Sequence, residues 1–290
     1  MATFGAEQLR NFILLGHGSS GKTSLSEALL FDAGAISRLG RIEDKNTVSD
    51  YDDEEHNRGL SVNLAVLPLE FQGCKLNMVD APGYMDFAGE VKAGIRAADA
   101  GILLVCASSG VEVGAELHWS YLDEAKLPRM VFINKMDRDN ASFERVIEQL
   151  NTKFDAHFVP VQLPIGARTT FKGVVDVLTG KAYMGPEGTE AAVPADMAEQ
   201  VKAARTAMME FVAETDDELM LKYLDGEELT SDELRAGLVK GAKSGSLVLV
   251  FAGSATLNIG VKPLLDAVVK YLPSPAEVVR TAIDEGAGQQ

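Results

Sequence analysis

The chain has 290 residues, 46% of them hydrophobic, enough for one large domain or two modest ones around a packed core. Its 43 acidic against 27 basic residues leave a formal charge of −16, which opposes long-range attraction to nucleic acid and argues against a DNA-binding role. The strongest apolar run, Ala100 to Ala107, falls far short of the roughly 20 residues a membrane-spanning helix needs, so no membrane partner is expected.

The opening MATFGAEQLRNFILLG lacks both the charged start and the long apolar stretch of a secretory signal, which points to a cytoplasmic protein. Cys74 and Cys106 form no disulfide framework, and His17, His56, His118 and His157 show no metal-ligand spacing. Solvated or packed imidazoles are the reading for all four.

In chain order, NFILLG (11–16) reads as a short apolar strand entering a glycine-rich loop. KTSLSEALLFDAG then places Leu25, Ala28 and Leu29 at helical spacing before Gly34. Residues 35–60 are polar without sustained periodicity and carry five acids between Asp50 and Glu55, so they read as a solvated or functional loop. SVNLAVLPLEF alternates Val62, Leu64 and Val66, and the Gln72-Gly73 turn leads into CKLNMVD, an antiparallel hairpin.

Beyond it come a helix near 86–98, the strand GILLVCA, a helix around 112–126, the strand RMVFINK and a helix from Ser142 to about Lys153. Strands alternating with helices imply an α/β fold with a mostly parallel, six-stranded sheet flanked by helices. From His157 to Gly245 the pattern changes. VPVQLPIG and FKGVVDVLTGKAYM read as strands, Met197, Val201, Ala204, Met208 and Phe211 share one helical face, and Thr230 with Glu233 has capping-box spacing. The α/β signature returns at SLVLVFAGSA. The expected organisation is a main domain over 1–156 and 246–275, an inserted α+β subdomain over 157–245, and a linker over 276–290.

GHGSSGKT fits GxxxxGK[ST] between a strand and a helix, a P-loop whose chance occurrence in such a chain is on the order of one in a hundred. Gly16, His17, Gly18, Ser19, Ser20, Gly21, Lys22, Thr23 and Ser24 are its candidate phosphate-binding residues. Its backbone N–H groups and helix N-terminus suit phosphate oxygens, Lys22 suits the β and γ phosphates as a catalytic cation, and the Thr23 hydroxyl suits magnesium.

NKMD follows another strand end. A carboxylate at Asp137 can accept from the N1–H and N2 amino group of guanine, a donor pair adenine lacks, so GTP and GDP are the expected nucleotides. Lys135 can lie along the base, and Asn134 can tie this loop to the P-loop. DAPG, between the two motifs, offers Asp80 to the metal through water and the Gly83 N–H to the γ-phosphate. After the returning strand, the N–H groups of Ser254 and Ala255 are candidates for guanine O6.

In this order the motifs resemble those of a translational GTPase, and the chain is similar to the N-terminal G domain of elongation factor G. The likeness runs through RGLSV, DAPGYMDFAGEV, NKMD, KYLDGEE and LLDAVVKYLPSP, from about 10 to 275. It implies that 157–245 corresponds to the family's G-prime subdomain, which in relatives contacts ribosomal stalk proteins. It also implies that the chain acts on the ribosome as a monomer, and that further domains follow in family members. RGLS becomes the first switch, and the family's magnesium-binding threonine falls on Ser61.

Two positions depart from the pattern. Ser19 stands where the family usually has aspartate, and Tyr84 where it has the histidine that orients the attacking water. A tyrosine hydroxyl, with a pKa of about 10, can hydrogen-bond to water but cannot match imidazole as a base near neutrality. The resemblance is therefore to the elongation factor G-like branch: a magnesium-dependent GTPase, slow alone and stimulated by the ribosome. The alternative is a GTP-dependent ribosome-binding switch in which Tyr84 leaves little hydrolysis.

Overall fold

In the computed structural model, residues 3–280 are described, together with the backbone of 283–284 and 288–289. The large sheet is built on strands that are buried on both faces. These are β1 (Leu9–Gly16), β4 (Ala100–Cys106), β5 (Arg129–Asn134) and β11 (Leu247–Ala252). Such runs are continuous in apolar residues because helices cover both sides of a parallel sheet. Phe12 to Leu15, Ile102 to Leu104 and Met130 to Ile133 are all sealed from solvent.

β2 (Ala65–Phe71) and β3 (Cys74–Asp80) form the expected hairpin. β2 is the antiparallel edge, where Ala65, Leu67 and Leu69 turn inward and Val66 faces out. The edge position also accommodates Pro68, which has no N–H for a further neighbour. The sheet order is β2-β3-β1-β4-β5-β11-β6, where β6 is His157–Pro160, parallel throughout except for β2.

This sheet has seven strands, one more than the alternation of the sequence led us to expect. The extra strand comes from VPVQLPIG, which is divided between two sheets. β6 (His157–Pro160) lies parallel to β11, whereas β7 (Gln162–Ile165) opens a second, antiparallel sheet. Val161 is the pivot: its N–H donates to the Val250 carbonyl of the large sheet, and its own carbonyl accepts from the Val177 N–H, both at 3.0 Å. A chain boundary at 157 therefore cuts through the large sheet.

The second sheet continues through β8 (Gly173–Asp176), β9 (Lys181–Met184) and β10 (Thr189–Ala191) as a meander. The helices between it and β11 are α6 (Ala198–Ala213), α7 (Asp217–Leu224) and α8 (Ser231–Ser244). α8 begins at the predicted Thr230–Glu233 capping box and stops at Gly245 in the left-handed conformation. It packs on β11, bringing the last part of the expected insertion against the large sheet.

The remaining helices cover the sheet. α1 (Lys22–Asp32) packs on α9 (Val261–Tyr271), while α3 (Ala88–Ala97), α4 (Val113–Glu124) and α5 (Phe143–Lys153) follow β3, β4 and β5. The expected linker is tied down at its start, since Arg280 donates to the Arg96 and Ala98 carbonyls and to Asp99 at the end of α3. No described helix is long and apolar enough to cross a membrane. Cys74 and Cys106 are free thiols.

Candidate functional site

β1 lies between β3 and β4, so the chain leaves its carboxyl end at the point where the strand order reverses direction. Open α/β sheets bind ligands in the crevice this creates. The loops after β1, β3, β5 and β11 all emerge there. A cleft of about 500 Å³ runs between them, bordered by Lys22, Thr23, Ser61, Tyr84, Lys135 and Ala255 among others.

The phosphate loop depends on left-handed glycines. Gly16 has φ 144°, and a Cβ there would sit 2.4 Å from the Leu104 carbonyl oxygen. Gly21, at φ 95°, starts α1, whose first N–H groups have no partners within the helix. Lys22 curls back so that Nζ donates to the Gly16 and His17 carbonyls at 3.1 and 3.2 Å. Burial lowers its pKa to about 8, against the pull of Asp80 and Asp50. Gly83 is pressed onto this loop: a Cβ there would fall 2.4 Å from Lys22 Nζ and 2.7 Å from the Gly18 nitrogen. Only glycine lets the end of DAPG come this close.

Beside Lys22, four side chains form a chain of oxygens. Thr23 Oγ1 donates to Asp80 Oδ2 at 2.9 Å and lies 3.1 Å from Ser61 Oγ, which donates to Asp50 Oδ1 at 2.8 Å. Two hydroxyl protons cannot serve three oxygen–oxygen contacts between ionised carboxylates. Burial raises both carboxyls, Asp80 to about 6, and Asp80 Oδ1 is buried without a hydrogen-bond partner. Hydroxyl and carboxylate oxygens with an unsatisfied acceptor fit a hard divalent ion such as magnesium. Asp50, hidden in the acidic run of the sequence, is the member that residue-type reasoning did not single out.

At the other end of the cleft, Asn134 is 1% exposed and links three loops. Its Nδ2 donates to the Ser20 carbonyl at 2.9 Å, and its Oδ1 accepts from the Ala255 N–H at 3.0 Å. Lys135, in the left-handed region at φ 63°, extends across the P-loop to the Ser19 carbonyl at 2.6 Å. Asp137 Oδ1 is buried and has no partner in the protein.

Several predicted residues serve the frame rather than face the cleft. The Ser20 N–H donates to the His17 carbonyl, and its hydroxyl is buried. Ser254 is fully buried: its N–H donates to the Ile259 carbonyl and its Oγ accepts from the Leu257 N–H, so it shapes the turn. Ala255 borders the cleft, but its N–H is committed to Asn134. His17 points into a neighbouring cleft of about 640 Å³, with Nδ1 3.3 Å from the Gly114 nitrogen.

Tyr84 lies between these two clefts and is 39% exposed. Its ring covers Gly18 so closely that a Cβ there would be 2.7 Å from Cζ. His118, on α4, was indistinguishable in the sequence from any packed imidazole. Its Nδ1 accepts the Gly16 N–H at 3.0 Å, and burial, with Lys22 nearby, lowers its pKa to about 4. A neutral ring is required there, because a protonated Nδ1 cannot accept.

Comparison with known proteins agrees with this geometry. The elongation factor Tu GTP binding domain family matches residues 7–274. A crystal structure of a protein from Thermus thermophilus superposes with a TM-score of 0.88 at 37% identity, covering 98% of this chain and 44% of that one. The chain thus spans less than half the length of that relative.

Proposed function

Since the chain belongs to the elongation factor Tu GTP binding domain family, as an elongation factor G-like G domain, we propose that it hydrolyses GTP in a magnesium-dependent reaction that is slow alone and stimulated by the ribosome. Membership itself makes it a guanine-nucleotide-binding GTPase domain of the translational class. The observation that carries the finer reading is the Asn134 bridge. It fixes the P-loop and the NKMD loop to each other, with Asp137 Oδ1 left without a hydrogen-bond partner beside an Oδ2 that is 3.9 Å from Arg138 Nε, so that the carboxylate can accept from the guanine N1–H and N2 amino group.

In this reading Lys22 gives up its two carbonyl contacts to hold the β and γ phosphates, and the first N–H groups of α1 complete the cradle. Thr23, Ser61 and Asp80 would hold magnesium, which when bound neutralises charge on the phosphate oxygens. The Gly83 N–H donates to the γ-phosphate. Tyr84, at the mouth over Gly18, positions the attacking water by a hydrogen bond and supplies no base. Phosphoryl transfer tolerates this, because it depends chiefly on positioning and charge stabilisation. The stalk of the ribosome is the proposed partner of the inserted subdomain, on resemblance.

The exposed Tyr84 ring over the P-loop also supports a second reading, a GTP-loaded ribosome-binding switch that hydrolyses little. Single-turnover cleavage of GTP by the full-length protein, with and without ribosomes, separates the two. Stimulation that survives Tyr84→Phe supports water positioning by the rest of the site, and loss in Tyr84→Phe assigns the hydroxyl. No stimulation, with a large gain in Tyr84→His, establishes the attenuated switch. Equal affinity for ATP and GTP would refute the nucleotide assignment altogether.

A further inference from the structure

Asn258 joins three parts of the molecule at one buried point. It belongs to the tight turn after β11, in which Ser254 and Ile259 exchange N–H and carbonyl at 2.9 and 3.0 Å and Ala255 is carried against Asn134. Asn258 lies in the left-handed region at φ 55°, and its N–H donates to the Ala255 carbonyl at 3.2 Å. Its side chain, in a residue only 8% exposed, leaves the turn. Nδ2 donates at 2.7 Å to Oδ1 of Asp32, the last residue of α1, and at 3.4 Å to the Pro186 carbonyl between β9 and β10. Asp32 Oδ2 is buried without a partner, so this amide is the donor its carboxylate has.

The NKMD loop is secured differently. The Met136 N–H donates to the Gly253 carbonyl at 3.1 Å, and its carbonyl accepts at 2.7 Å from the Arg168 N–H, between β7 and β8 of the second sheet. Backbone groups hold that loop from both sides. Among the described residues, the hydrogen bonds from the Ala255 turn to α1 and to the second sheet are all made by the Asn258 side chain. What the turn holds matters for the cleft. The Ala255 N–H fixes Asn134 Oδ1, and Asn134 Nδ2 in turn fixes the Ser20 carbonyl of the P-loop.

We propose that Asn258 is a positioning residue for guanine nucleotides: by pinning the Ala255 turn to α1 and to the inserted subdomain it keeps Asn134 in place, and so slows nucleotide dissociation. The location of the base beside this turn rests on the GTPase reading; the joint itself does not. Asn258→Gly removes the side chain while suiting the left-handed backbone, so the turn still closes. Asn258→Asp sets a second carboxylate against Asp32, whose charged neighbours are Lys262 and Glu187. Combining it with Asp32→Asn restores an amide–carboxylate pair with the donor reversed, although donation to Pro186 stays lost.

Dissociation of ribose-labelled fluorescent GDP and of a labelled GTP analogue, each chased with unlabelled nucleotide, tests this. Asn258→Gly should speed both by about tenfold, with single-turnover cleavage at saturating GTP unchanged. Asn258→Asp should speed them further, and the reciprocal pair should slow them again. Wild-type dissociation rates in Asn258→Gly overturn the proposal, as does a reciprocal pair no slower than Asn258→Asp alone. So does a fall in cleavage at saturating GTP in step with melting temperature, the mark of general loosening. Failure of the wild type to bind guanine nucleotides would sink the GTPase reading. Amide exchange at Ala255 in the nucleotide-free chain, expected to be faster in Asn258→Gly than in the wild type, would still decide the joint.

Discussion

The two ends of the cleft are held by different forces. At the base end, Asn134, Lys135 and Ala255 sit on or just past the ends of buried strands, and their polar groups tie the P-loop backbone and the NKMD loop together. At the switch end, Asp50, Ser61 and Asp80 meet Thr23 through side-chain oxygens that are short of protons. The base-end braces run from side chains to backbone groups at or just past strand ends. Crowded carboxylates and hydroxyls respond to protons, cations and phosphate, so the same cleft joins a rigid half to a responsive one.

The largest expected effect tests the rigid half. His118 has a pKa of 6.5 when unfolded and about 4 when folded, so between those values the unfolded chain binds more protons. Its contribution is complete above pH 6.5 and is lost as the pH falls toward 4, about 3 kcal/mol in all. His118→Gln keeps an acceptor for the Gly16 N–H without titrating. Asp80, raised from 3.8 to about 6, acts in the opposite direction over the lower part of that range. The difference in urea midpoint between wild type and His118→Gln is therefore the readout, and parallel pH profiles would remove His118 from the frame.

Next is Asp137→Asn, expected to weaken GTP on the order of a hundredfold and to favour xanthine nucleotides, whose 2-oxo group can accept from the amide. Titration with GTP, XTP and ATP measures it. If the base end is as independent as its bonding implies, exchange of the switch amides at 51–63 should not change. Asn134→Ala strands the Ser20 carbonyl and the Ala255 N–H, a loss of about 1–3 kcal/mol seen as a lower melting temperature together with weaker binding of GDP and GTP alike. Equal GDP affinity in the variant would show that the bridge is dispensable.

The smallest effect belongs to the responsive half. Ser61→Ala removes a hydroxyl between Thr23 and Asp50, and should weaken magnesium-dependent GTP-analogue binding by several-fold, roughly 1 kcal/mol, while leaving GDP affinity intact. A matching fall in GDP affinity would erase the distinction between the two ends.

The fold was legible where a local pattern corresponds to a local structure. Continuous apolar runs announced the buried parallel strands, the Gln72-Gly73 turn announced the edge hairpin, and GHGSSGKT announced the strand–loop–helix turn. The alternation at Val62, Leu64 and Val66 chose the wrong face, since Val62 and Leu64 precede β2 and Val66 points outward from it. The division of VPVQLPIG between two sheets was not legible. Periodicity is the same on both sides of Val161, and only its hydrogen bonds to Val250 and Val177 separate them. Ser254 likewise matched a motif position by type, yet its N–H is consumed by a turn that closes at Ile259.

By itself the sequence determined which residues are the candidates for phosphate, guanine and metal chemistry, because such candidates are read from residue type at short spacing: Lys22 and Thr23 after Gly21, Asp80 before Gly83, Asn134 before Asp137. What only the tertiary structure decided is how charge is shared among them. Burial raises Asp80 and lowers Lys22 and His118, Asp50 enters the oxygen chain from a loop that read as solvated or functional, and Glu55 gathers four donors from both sides of its helix, α2 (Asp53–Arg58). Desolvation and hydrogen-bond satisfaction are properties of the space around a group, and distant segments of the chain fill that space.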